Sequence, residues 1–137
     1  MLPIPPFDAL PLRKDGPPGN AWGLFGDEDE CGMLNLLTAD NTTRAAASEI
    51  IDGTRVPTDW PLNRLSLPCF GRHALQHTIH TKAGSSINDD SLNFNTQVSS
   101  QWDGFRHYGF QKEQRFYNGK TQAELDSSSV NGIQGTR

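Results

Sequence analysis

The sequence predicts a small domain of the mixed α/β class (α+β), and three observations carry that expectation. A capped, alanine-rich stretch from Thr38 to Gly53 has the marks of a helix. Residues 91–99 alternate apolar and polar side chains with the period of a strand. The first twenty residues hold six of the nine prolines, which fix φ and lack a backbone donor, so neither element can run through them. The 137 residues fit one domain. Only 29 of them are Leu, Ile, Val or Phe, close to the level at which chains stop burying a core. A thin core is expected, one that a partner or a larger fold would complete.

In chain order, residues 1–20 form a proline-rich extended arm whose Phe7, Leu10 and Leu12 can lie against a body. The stretch from Asn20 to Leu37 joins Trp–Gly and Phe–Gly steps to an acidic run. Asp27, Glu28, Asp29 and Glu30 read as a solvated acidic turn, with metal binding as the alternative. Thr38 stands three residues before Asn41 and opens a helix over 39–52, with Ala46, Ile50 and Ile51 at helical spacing and Gly53 closing it. Val56 and Trp60, confined by Pro57 and Pro61, suggest an edge strand. His73, His77 and His80 would converge on a helix, but Thr78, Ile79 and Thr81 favour a strand, which leaves exposed or hydrogen-bonded histidines.

Residues 83–90 are turn-rich, and the strand expected over 91–99 puts Leu92, Phe94, Thr96 and Val98 on one face and Asn93, Asn95 and Gln97 on the other. Phe116 and Tyr117 lead into an Asn118–Gly119 turn, after which little can be buried. The expected organisation is an arm at 1–20, a domain at 21–125 and a poorly ordered tail at 126–137.

Twelve Lys and Arg face sixteen Asp and Glu, so the chain lacks the positive footprint that nucleic acid requires. Apolar runs of four residues or fewer cannot span a bilayer, and no charged-then-apolar leader opens the chain. Cys31 and Cys69 lack CxxC spacing, which fits reduced thiols and a cytoplasmic protein.

The densest reactive cluster is SSQWDGFRHYG at 99–109. A strand end followed by a glycine turn can aim Gln101, Asp103 and His107 into one cleft. A carboxylate near an imidazole suits metal ligation or general-base catalysis. The plainer alternative has Asp103 capping the turn, His107 hydrogen-bonded on a surface, and Trp102 and Phe105 in the core.

The strings AWGLFGDEDECGMLNLLT, FGRHALQHTI, NDDSLNFNTQ and SSQWDGFRHYGFQ closely resemble the fungal branch of the cyclase family, relatives of kynurenine-formamidase-like metal-dependent hydrolases. The resemblance runs from about Leu10 to Leu125. It implies the N-terminal half of a swivelling β/β/α fold, with one main helix and a mixed sheet, and a metal site built on His-x-Gly-Thr-His-x-Asp-x-Pro-x-His. On this sequence the final His falls on His107, the Asp on Asp103, the second His on Gln101 and the first on Gln97. Ser99 and Ser100 replace the Gly and Thr, and Phe105 replaces the Pro. Amide oxygens bind zinc more weakly than imidazole, so Mn²⁺ or Mg²⁺, or no metal, becomes as plausible as Zn²⁺. Members of this branch are roughly twice as long, and their C-terminal half adds strands, a His and an acidic residue, so a truncated product is expected.

The resemblance implies a metal-dependent hydrolase of a small amide, ester or lactone in fungal secondary metabolism. Asp103, Gln101 and Gln97 would be metal ligands, His107 and Asp103 catalytic groups, and Trp22, Trp102 and Phe105 a pocket wall. The alternatives are a non-catalytic remnant or binding module, and a metal-free cyclase or isomerase. The expected partner is a small-molecule substrate, and open sheet edges favour a homo-oligomer.

Overall fold

A computed structural model describes residues 3–134. Residues 1–2 of the expected arm and 135–137 of the expected tail lie outside the described residues. The chain divides into two units, one formed by the chain up to Gly53 together with the chain from Asp103 onward, the other by Thr54–Trp102. Both helices lie in the first unit and the one described sheet in the second, which gives a small α+β protein. Among the described residues no helix is long and apolar enough to cross a membrane.

In the first unit the arm folds back on itself through Asn20, which is 3% exposed. Its side-chain amide donates to the carbonyls of Pro17 at 2.6 Å and Arg13 at 2.9 Å, and its oxygen accepts from the Arg13 and Trp22 backbones. Prolines cannot build a ladder of their own, so a side-chain amide supplies the bonds the backbone lacks. Gly16 completes the fold of the arm, because a Cβ there would sit 3.0 Å from the Trp22 ring.

Helix α1 runs Ala39–Glu49, with the Thr38 hydroxyl accepting from the Asn41 backbone at 3.1 Å, as the Thr-x-x-Asn spacing predicts. It stops three residues before the expected end, since Ile50 has already left helical dihedrals. None of its residues is buried, so alanine propensity and the cap hold it locally. Helix α2, Gln122–Ser127, carries a reciprocal capping box between Thr121 and Glu124 and buries Leu125. The tail departs from its expected looseness: Asn131 is 4% exposed, its backbone N–H donates to Glu30 and its side chain donates to the Tyr117 carbonyl.

In the second unit β1 (Gln76–Thr81) pairs antiparallel with β2 (Asn88–Asn93), His77 opposite Leu92 and His80 opposite Asp89. His77 and His80 fall on opposite faces, as strand spacing requires, and meet Asp90 at 2.9 Å and Ser91 at 2.8 Å respectively. The sheet is this antiparallel hairpin rather than the mixed sheet expected. Two other strand expectations are corrected. No strand forms over 54–63, where two prolines withhold donors and the Arg64 backbone closes a turn on Pro61. The strand expected over 91–99 begins earlier and ends at Asn93. Asn95 ends it by accepting from the Gln97 backbone through its side chain and from Val98 through its carbonyl, a local turn that competes with the ladder. Val98, on the face expected to be buried, is fully buried all the same.

The buried apolar side chains among the described residues are Pro17, Trp22, Val98 and Leu125, and three asparagines are buried as well. Of their side chains, that of Asn118 reaches furthest along the chain. The residue sits at φ +53°, accepts from the Gly23 backbone at 2.9 Å, and donates to the carbonyls of Gly26 and Asp29 at 3.0 Å. Asn118→Ala removes the shared partner of these part-buried backbone groups and puts alanine, which has no side chain to bond locally, at positive φ. We expect a loss of about 2–3 kcal/mol, read as a lower urea midpoint with unchanged m.

Candidate functional site

Asp103 and His107 flank a tight turn closed by the His107 backbone donating to the Gly104 carbonyl at 3.0 Å. Asp103 Oδ2 lies 3.9 Å from His107 Nε2, and the two side chains are 49% and 39% exposed. The residues between them point the other way. Phe105 stacks on Tyr117 with ring centroids 4.1 Å apart and planes 17° off parallel. Arg106 donates to the carbonyl of Leu125 at the inner side of α2. The two consecutive residues between them, Phe105 and Arg106, are therefore anchored, and the two reactive ones stay exposed.

Behind the Phe105–Tyr117 stack lies the carboxylate of Asp29. Asp29 Oδ2 accepts from the Tyr117 hydroxyl and the Gly32 backbone, both at 2.7 Å, and Oδ1 accepts from the Asn35 amide at 2.7 Å. Burial works against its charge, but the bonds from Asn35, Tyr117, Gly32 and the Cys31 backbone outweigh it and hold the carboxyl below its usual range. Burial, with the neighbouring Asp29 charge, pushes the Tyr117 phenol well above its ordinary value. The acidic run is thus no uniform solvated turn. Asp29 and Glu30 turn inward to Tyr117 and Asn131, while Asp27 and Glu28 stay outside, beside Arg13 and Lys120.

Trp22 is 7% exposed, meets Phe110 edge-on at 5.6 Å, and lines a cleft of about 540 Å³ with Arg13, Asp15, Glu113 and Arg115. A second cleft of about 480 Å³ runs along Phe110, Gln114, Phe116 and Gln122. Asp103 and His107 line neither of these two. The structure thus brings Asp103, Phe105 and His107 together in one turn and puts Trp22 in a cleft. Gln97, Gln101 and Trp102 belong to the Thr54–Trp102 unit: Gln97 is half-buried in a 3₁₀ turn, Gln101 is exposed and Trp102 wholly so.

Among the described residues no three His, Cys, Asp or Glu side chains gather into a metal-binding group. A closed zinc centre needs three or four such donors. A half-exposed carboxylate such as Asp103 suits a hard ion that keeps most of its water, the manner in which Mg²⁺ is usually held. Cys31 and Cys69 are both free thiols.

Asp29, Tyr117 and Asn118 were not legible as site residues because their contacts reach 88 to 95 positions along the chain. The local hints were the Asn118–Gly119 turn and a glycine three residues after Asp29. Comparison with family models, with curated proteins and with solved structures found no match.

The Asp29–Tyr117 pair contributes to both ends of the pH dependence of stability. A carboxyl lowered by folding contributes stability in full above the unfolded value of about 4, and that contribution is lost as pH falls through the folded value. A phenol raised by folding contributes below about pH 10 and loses its contribution as pH rises through the folded value. Urea midpoints should therefore fall at both extremes. Asp29→Asn should flatten the acid limb and Tyr117→Phe the alkaline one.

Proposed function

We propose that the chain is a cyclase- and kynurenine-formamidase-like, metal-dependent hydrolase acting on a small amide, ester or lactone, with the partial swivelling β/β/α fold that this reading carries. The resemblance over residues 10–125 supports it, and the observation that carries it is the Asp103–His107 pair, 3.9 Å apart, solvent-facing and anchored from behind. Asp103 would hold the divalent ion, Mn²⁺ or Mg²⁺ suiting it better than Zn²⁺. When bound, the ion supplies a water acidified enough to attack at neutral pH. His107 Nε2, the ring nitrogen that faces Asp103, takes the proton of the attacking water and returns it to the leaving nitrogen or oxygen. Asp103 places a negative charge beside the imidazolium formed between these two transfers.

A second reading, a binding module without turnover, is favoured by the Trp22 cleft, which neither Asp103 nor His107 lines. Hydrolysis of a formylated aryl amide, with and without added Mn²⁺, Mg²⁺ or Zn²⁺, separates the two. The hydrolase reading expects metal-stimulated turnover, lost with a chelator and reduced more than about tenfold, or 1.4 kcal/mol, in Asp103→Asn and His107→Gln. Turnover unaffected by metal, or retained in Asp103→Asn, would overturn it.

A further inference from the structure

We infer that Tyr117 is a positioning residue for the Asp103–His107 pair, acting through the ring of Phe105. The inference rests on the reading that this pair performs the chemistry. Phe105 sits two residues from each reactive group, so the orientation of its ring fixes the turn that carries both. One face of that ring lies on Tyr117. Its tip abuts Gly32, where a Cβ would come within 2.5 Å of Phe105 Cζ, so only glycine admits the ring in this position.

The four residues close a circuit. The Tyr117 hydroxyl donates to Asp29, the Gly32 backbone donates to the same Asp29 oxygen, Gly32 meets Phe105, and Phe105 returns to Tyr117. The Tyr117 main chain is fixed separately, its carbonyl accepting from Asn131 at 3.1 Å and the next residue being the buried Asn118. A ring stacked on a side chain held at both ends has little room to slide, whereas a stack on a loose tyrosine would leave the turn free to drift. Displacement of a reacting group by about 1 Å can cost on the order of a hundredfold in rate, so such a brace bears on kcat more than on substrate binding. Asp29 and Gly32 have no role in proton transfer on this account. They act through Tyr117 and Phe105.

The test compares Tyr117→Leu, which removes the stack, with Tyr117→Phe, which keeps the ring and loses the hydroxyl. Backbone order parameters at residues 105–107 should stand near ~0.85 in the wild type and fall below ~0.6 in Tyr117→Leu, with those of α1 unchanged. In the metal-stimulated assay kcat should fall about tenfold or more in Tyr117→Leu with KM within about twofold, and Tyr117→Phe should recover most of both losses. Phe105→Leu, which leaves the Tyr117–Asp29 bond in place, must loosen the same turn and serves if Tyr117→Leu fails to fold. Order parameters unchanged in both leucine variants, or a kcat unaffected by the loosening, overturn the inference. A wild-type protein that does not hydrolyse the amide marks failure of the hydrolase reading, and the relaxation data then decide alone whether Tyr117 positions the pair.

Discussion

The hydrogen bond from Tyr117 to Asp29 joins residues 88 positions apart, and the first unit depends on it and its neighbours to exist. That unit is assembled from the two outer parts of the chain, with Thr54–Trp102 between them. Closing so long a loop has an entropic cost that grows only with the logarithm of its length, and it is met once. After the first contact the further bonds from Asn118 to Gly23, Gly26 and Asp29, and from Asn131 to Glu30, join segments already brought together. Each then returns most of its enthalpy without a second closure. The arrangement is cooperative for that reason, and the turn at 103–107 is joined to it by the stack of Phe105 on Tyr117.

The chemistry of these bonds follows from composition. A chain with few large apolar residues cannot fill a core, and among the described residues Pro17, Trp22 and Leu125 are the deeply buried apolar side chains of the first unit. Asn20, Asn118 and Asn131 take up the remaining interior. An asparagine offers two donors and an acceptor on a short stem and tolerates positive φ, which Asn118 and Asn131 both adopt. It can thus bond several loop carbonyls at a place where no regular ladder exists. Apolar packing of similar volume would stabilise as well but would define the loop paths less sharply, because hydrogen bonds are directional and dispersion contacts are not.

Local signals were legible in the sequence and long-range ones were not. The Thr38 cap, the strand character of 78–81 with its outward histidines, and the turn at Asn118–Gly119 depend on residues within a few positions of one another, and each could be read directly. The alternation at 91–99 misled because Asn95 has a local alternative to the ladder that apolar periodicity does not register. The Asp103–His107 pair was visible because four-residue spacing across a glycine turn is itself local. Asp29 was hidden among three other acids, and only its distant partners distinguish it from Asp27 and Glu28.

That contrast bears on why the Asp103–His107 pair lies at the surface of a small protein. Burying Asp103 and His107 would require desolvating two strongly polar side chains in a chain with little apolar surface to surround them, a cost that their mutual interaction need not cover. Leaving them at the surface avoids that cost but normally surrenders geometry, since exposed side chains sample several rotamers. Anchoring Phe105 and Arg106 inward restores the backbone part of that geometry at the positions flanking the pair, while the side chains stay hydrated. On the hydrolase reading proposed above, a hard ion that completes its coordination with solvent would suit such a pair better than zinc, which gathers three or four protein donors.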